Sequence, residues 1–270
     1  MRPGIIEKTL ASLTQALEQS LFAETMALRK GLLQSLDPRV KVLSILALLF
    51  AVSLSRNLTA LLGLYGITLF LAIASSIPMI FFIKRVWLFI PFFTGMIILP
   101  ALFITPGPPL ATLPFGLIVT QTGAQTAAFL LLRVGASVSL AVLLMLTTSW
   151  PVLLKALSVL HIPDGFLFIL GMTYRYIFLL LRIAEDMFTS RLSRIVGRMN
   201  STQERHLIAA TAGTLLTKSL DLSSDVYLAM QARGYRGQAR ALITFRFRAT
   251  DWFWGSGVCI LVLLSIWLGR

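Results

Sequence analysis

An all-α, polytopic membrane protein of about five spans, carrying a cytoplasmic module of amphipathic helices, is the fold class this chain predicts, and three observations carry that expectation. Apolar residues fill 57% of its 270 positions and charged residues only 13%, outside the range of an ordinary soluble domain. Uncharged runs recur at 42–55, 58–83, 86–132, 134–154 and 252–269, each enough to enter a bilayer that takes about 20 residues to cross. The charges gather instead between 155 and 248, where thirteen Lys or Arg meet six Asp or Glu and no uncharged run reaches span length. A net charge of +13 distributed in this way marks the inner side of a membrane protein rather than a nucleic-acid surface. The chain thus divides into an N-terminal amphipathic segment (1–40), spans one to four (41–150), a cytoplasmic helical module (151–248) and a last span (249–270).

The first forty residues carry charges at Glu7, Lys8 and Glu18 and no continuous apolar core, so they are no secretory signal. Ile6, Leu10, Leu13, Leu17 and Leu21 recur at steps of three and four, the pattern of an amphipathic helix either lying at the membrane surface or packed on the protein. Asp37 before Pro38 reads as an N-cap and first-position pair. It places Arg39 and Lys41 at the cytoplasmic headgroups, ahead of span one at 42–55. Arg56 and Asn57 make a turn, and span two, 58–83, ends at Lys84 and Arg85, which the positive-inside preference puts in the cytoplasm. Residues 86–132 are too long for one crossing. Pro106, Gly107, Pro108, Pro109 and Pro114 divide them, so spans three and four meet at an external loop. Arg133 falls within span four, where a charge facing lipid costs several kcal/mol. It therefore faces the bundle interior or a partner, either as a functional residue or as a hydrogen-bonded arginine that fixes packing. The chain returns to the cytoplasm near Trp150.

Within the module, Pro151 opens a short helix that His161, Ile162 and Pro163 stop. Asp164 suits the N-cap of a longer helix whose uncharged part, 165–174, is half a crossing and is expected to pack on other helices. That helix runs through Tyr174, Arg175 and Tyr176 to Arg194, with Arg191 four residues after Met187 and seven after Ala184, so that an apolar face ends in a cation. After a polar break at 200–204, a third helix carries Leu216, Leu220, Tyr227 and Met230 down to Arg233. Arg233 stands three residues after Met230 and seven after Val226, and Gly234 suits the left-handed position that closes a helix. Two readings fit: a last-turn cation favoured by the helix dipole, or a guanidinium presented at a tip to an acidic or carbonyl-lined groove. Arg236, Arg240, Arg246 and Arg248 then form a basic headgroup boundary in preference to a nucleic-acid patch. Trp252 and Trp254 sit where aromatic belts sit, and a fifth span places Arg270 outside.

Several chemistries are disfavoured. No Gly-x-x-x-x-Gly-Lys-Ser/Thr loop is present to cradle nucleotide phosphates. His161 and His206 stand 45 residues apart, and the one cysteine, Cys259, lies in an apolar segment, which leaves no His/Cys metal cage and no disulfide framework. Glu185 and Asp186 are adjacent and diverge on a helix, a poor acid–base pair. Alternatives from other classes are a membrane-embedded enzyme acting on lipid headgroups through Arg133, His161 and Asp164, and a stand-alone carrier, for which Arg133 is the only charge within the spans.

The motifs Leu36-Asp37-Pro38-Arg39-Val40-Lys41, Trp150-Pro151 with Leu153 to Leu157 and Pro163, Tyr174-Arg175-Tyr176, Glu185 and Met187 before Ser190-Arg191, and above all Tyr227-Leu228-Ala229-Met230-Gln231-Ala232-Arg233-Gly234-Tyr235 together resemble the T component of energy-coupling factor transporters, most closely its cobalt branch, CbiQ. The resemblance spans most of the chain. It implies two coupling helices, each ending in an Ala-Arg-Gly-like motif whose arginine docks in a groove of an ATP-binding-cassette ATPase dimer. Ala232, Arg233 and Gly234 match the second motif in full. The first is degenerate: Ser190-Arg191-Leu192 keeps only the arginine, and Ser193-Arg194-Ile195 is an alternative frame. Asp37, Pro38, Arg39, Arg133, Tyr174 and Arg175 are expected to serve packing or contact with the substrate subunit. The resemblance further implies a non-enzymatic chain with no cofactor of its own, ATP being bound by the ATPases. A separate metal-binding S subunit and a small accessory membrane subunit complete the expected partners, in the inner cell membrane, with cobalt as cargo and nickel or a vitamin as alternatives.

Overall fold

In the computed structural model, which describes residues 11, 12, 14, 15, 18, 25–29, 31–104, 108–112, 118–195, 200–236 and 247–268, helices fill the uncharged runs, and caps or prolines end them. The leucine stripe expected at Ile6, Leu10, Leu13, Leu17 and Leu21 lies outside the described residues, as do Pro106, Gly107, Pro114, Arg240, Arg246 and Arg270. The chain forms two units, Glu24–Ala156 with Thr244–Arg270, and Met1–Ala23 with Leu157–Ile243.

The first unit is a helical bundle. A single turn, α1 (Leu32–Ser35), leads to α2 (Pro38–Leu54), where Asp37 is the N-cap and its carboxylate accepts the Arg39 N–H at 2.9 Å, with Pro38 at the first helical position. Next come α3 (Leu58–Ala74) and α4 (Met79–Ile104). The run 58–83, expected as one span, is broken here: Ser76 takes φ +53°, the Ser76 N–H reaches the Ile73 carbonyl and the Ile77 N–H the Ala72 carbonyl. That pair of bonds is a left-handed helix closure built on serine, and Pro78 follows it. Lys84 and Arg85 therefore lie in the opening turns of α4 instead of ending α3.

The α4–α5 connection, expected as a proline-rich loop, contains a short hairpin: β1 (Pro109–Thr112) pairs antiparallel with β2 (Ile118–Thr120). The Thr120 hydroxyl then accepts the Gly123 N–H and caps α5 (Gln121–Thr147). A last helix, α9 (Ala249–Leu268), belongs to the same bundle. One buried cluster gathers Leu71, Phe82 and Leu143, and a second gathers Ile45, Leu61, Leu140 and Val258, so that α5 serves both and Trp254 packs against each. Apart from the hairpin, the described chain is all-α.

Between Trp150 and Leu160 lie α6 (Trp150–Leu157) and a 3-10 turn, Ser158–Leu160, closed by His161 at φ +57°. The second unit is built on α7 (Asp164–Leu192) and α8 (Ser201–Ala232). Pro163, not Asp164, occupies the N-cap of α7; Asp164 is its first residue, where a carboxylate complements the positive end of the helix dipole. At the start of α8, the Gln203 side chain accepts the Asn200 backbone N–H at 3.0 Å. By length and composition, α5 and α7 are each able to cross a bilayer.

Candidate functional site

The end of α8 is determined by its carbonyls. Four C=O groups at a helix terminus lack partners, and here the Tyr235 N–H returns to the Met230 carbonyl at 3.0 Å and the Gly234 N–H to the Gln231 carbonyl at 2.9 Å. This is the paired closure of a Schellman turn, which needs a left-handed residue after the cap, and Gly234 supplies it at φ +79°. Arg233 is the cap residue itself and is exposed. The turn sends Tyr235 back across the helix pair, where its ring stacks on Phe168 of α7 at 5.3 Å and 22°. The stack holds the tip, and the tip presents the arginine.

The other end of the pair differs. Ala184 and Phe188 of α7 are buried with Thr211 of α8, and Arg191, one turn further along the same face of α7, donates to the Thr214 hydroxyl at 3.5 Å. Arg191 thus ends an apolar stripe, as its spacing predicts, and its guanidinium leans onto α8. Arg194 lies beyond the end of α7 in a tight turn, with the Arg194 N–H on the Arg191 carbonyl at 3.2 Å, and is exposed. Phe168 meets Tyr235 at one end while Arg191 meets Thr214 at the other, so α7 and α8 run in opposite directions and their two cationic ends lie apart. Between the ends is a groove of about 360 Å³, lined by Phe168, Met172, Tyr176, Leu222, Val226 and Met230 among others. Tyr174 packs edge-on against Phe178 at 4.9 Å, and Arg175 is exposed beside it.

In the bundle, Arg133 is engaged. Its guanidinium donates to the Ser55 carbonyl, the C-cap of α2, at 2.7 Å and lies 4.6 Å from the Phe129 ring centroid. Pro38 and Arg39 are half-buried at the start of α2, and Asp37 is buried. Lys41, expected at the headgroups, is instead 2% exposed, and its ammonium donates to the Thr147 carbonyl at 3.0 Å and the Thr148 hydroxyl at 3.1 Å. The last turn of α5 offers unpaired carbonyls at its negative pole, and a lysine one turn inside α2 reaches them more readily than water does.

Asp251 escaped sequence reasoning altogether. It is 1% exposed; one oxygen accepts the Arg248 N–H at 2.8 Å and the other the Asp37 N–H at 2.9 Å. Its signal was an acid three residues past Arg248, at the head of an apolar run, half of a capping box. Among the described residues, no three His, Cys, Asp or Glu side chains gather as a metal site.

A helical bundle with capped interior charges, joined in one chain to an antiparallel helix pair with cationic ends, defines an all-α membrane protein. Residues 29–243 match the CbiQ family model, described as a cobalt transport protein. An uncharacterized protein of Methanocaldococcus jannaschii is 32% identical over 93% of this chain and 87% of its own length. The energy-coupling factor transporter transmembrane protein EcfT of Listeria innocua is 26% identical over 88% of this chain and 91% of its own. The cobalt transport protein CbiQ of Rhodobacter capsulatus is 28% identical over 57% of this chain and 64% of its own. The chain belongs to the CbiQ cobalt transport protein family, the T components of energy-coupling factor transporters.

Proposed function

We propose that this chain is the transmembrane coupling subunit of an ATP-driven cobalt importer. In this reading an ATP-binding-cassette ATPase dimer, which holds the ATP, docks on Arg233 with Ala232 and Gly234 at one end of the helix pair and on Arg194, or Arg191, at the other. Closure of the dimer on ATP moves the two ends relative to each other, and the bundle passes that movement to a separate metal-binding S subunit, with a small accessory membrane subunit as a further companion. The chain itself carries no cofactor and performs no catalysis.

One observation carries this reading: two helices packed antiparallel, each ending in an arginine, with the ends about 30 Å apart along α8. Such a pair has an approximate two-fold axis, which suits a partner with two equivalent grooves. Arg194 is favoured over Arg191 as the first docking cation because Arg191 already donates to Thr214. Arg175 and Arg182, both exposed in mid-helix, would be costly in lipid, which keeps α7 out of the bilayer core, and the excess of cations in the module favours the inner face. Cobalt is favoured by the family description and by the name of the Rhodobacter capsulatus relative. A nickel or vitamin cargo for the same role is the second reading, since the names of the EcfT relatives specify no cobalt.

A docked, charge-assisted arginine contact is worth about 1.5–3 kcal/mol. Arg233→Glu is therefore expected to weaken ATPase retention by about 10- to 100-fold and to abolish ATP-dependent cobalt uptake, while the protein still inserts. Co-purification of tagged membrane complexes with quantitation of each chain measures this, and undiminished retention and uptake in the variant would remove Arg233 from the mechanism.

A further inference from the structure

Three helix ends of the bundle meet two buried charges. The Asp251 carboxylate takes one N–H from the start of its own helix and one from the start of α2, so a single anion serves the positive poles of α9 and α2. One turn further along α2, Lys41 delivers its cation to the last carbonyl of α5 and to Thr148 just beyond it. Lys41, Asp251, Thr147 and Thr148 are all buried. These ends have a common property in the chain's path. The polypeptide runs from Thr148 through α6 out to the module and re-enters the bundle ahead of Arg248, while α2 is the helix both charges hold.

Stability alone is a weak reason for such an arrangement. Buried charges seldom outperform well-packed apolar side chains, and the role best attested for them is to fix register. A second pin supports that role: Arg133 of α5 reaches Ser55 at the far end of α2, and the separation from Lys41 to Ser55 equals that from Arg133 to Thr147. Thus α2 is tied near both its ends to the half of α5 from Arg133 to Thr147, in one antiparallel register.

From this we infer that Lys41 and Asp251 are positioning residues for coupling: they clamp the outgoing end of α5 and the incoming end of α9 to α2, so that displacement of either connection moves α2 with it. This inference rests on the transmission role proposed above and names the bundle residues that perform it. Without the clamp the module can still hold its ATPases, but its movement is taken up by slack at the helix ends.

The test uses the complete complex in proteoliposomes, with cobalt as the probe and both ATP hydrolysis and cobalt uptake measured. Lys41→Met and Asp251→Asn keep side-chain size and remove charge. Both are expected to retain the ATPase subunits and to hydrolyse ATP within about twofold of wild type, while cobalt taken up per ATP falls by about tenfold. A purely structural loss would lower uptake and hydrolysis together, leaving their ratio unchanged, and that outcome overturns the clamp. Should either variant fail to assemble, Thr148→Val removes only one acceptor of Lys41 and is expected to lower the ratio by about threefold; an unchanged ratio there also overturns it. A wild-type complex that neither retains ATPases nor takes up cobalt on ATP overturns the transmission role itself, before any variant is compared.

Discussion

Gly234 holds φ at +79°, and an added Cβ there would meet nothing within 4 Å, so the demand for glycine comes from the backbone alone and not from a neighbour. A side chain in that region costs about 1–2 kcal/mol, more if β-branched, and the strain falls on the turn that presents Arg233. Gly234→Val is therefore expected to reduce ATPase affinity by about 5- to 30-fold with Arg233 still in place. Gly234→Asn, whose side chain tolerates the left-handed conformation, is expected to keep most of it. Titration of the purified complex with ATPase subunits checks this, and equal affinities for the valine and asparagine variants would refute it. Pinning by the Phe168–Tyr235 stack explains why a single exposed arginine can be held in place without a side-chain partner of its own among the described residues.

At the scale of elements, helix ends were legible where a cap has a dedicated residue. Asp37-Pro38 announced α2, and Arg233-Gly234 announced the end of α8. The end of α3 was not legible, because Ser76 performs the left-handed closure usually given to glycine and no charge interrupts the run until Lys84. Tertiary pairing was also hidden: Lys41 looked like a headgroup cation because its acceptors, Thr147 and Thr148, are more than a hundred residues away in sequence. Arg133 was read as either functional or structural, and its geometry now separates the two by experiment. It caps α2 from α5, so Arg133→Met leaves a buried carbonyl unpaired at a cost of about 1–3 kcal/mol. The expected result is a melting temperature in detergent lowered on the order of 5 °C, with ATPase retention unchanged. If Arg133 instead met a partner, thermal unfolding would stay at the wild-type temperature while uptake fell.

Within the bundle, cations gather at one end. Arg29, Arg39, Lys41, Lys84, Arg85 and Arg248 lie at the end of the bundle where α2, α4 and α9 begin and α3 and α5 finish, whereas Arg56 is the one described cation in the turns at the other. The hairpin of β1 and β2 caps that other end, separated from the Lys41 clamp by the length of α5, about 40 Å. Cations near span ends favour the cytoplasmic side, so the coupling role proposed above predicts the basic end inside, where ATP is, and the hairpin outside. Exposed positions exist at both ends, Ser35 as the last residue of α1 and Pro108 before β1, and the exposed Cys259 can first be replaced by serine. In that background, Pro108→Cys is expected to react with a membrane-impermeant maleimide on intact cells, and Ser35→Cys only after permeabilisation. Labelling of Ser35→Cys from outside would invert the bundle, put the arginine-tipped helices out of reach of any ATPase, and exclude the coupling role at its root.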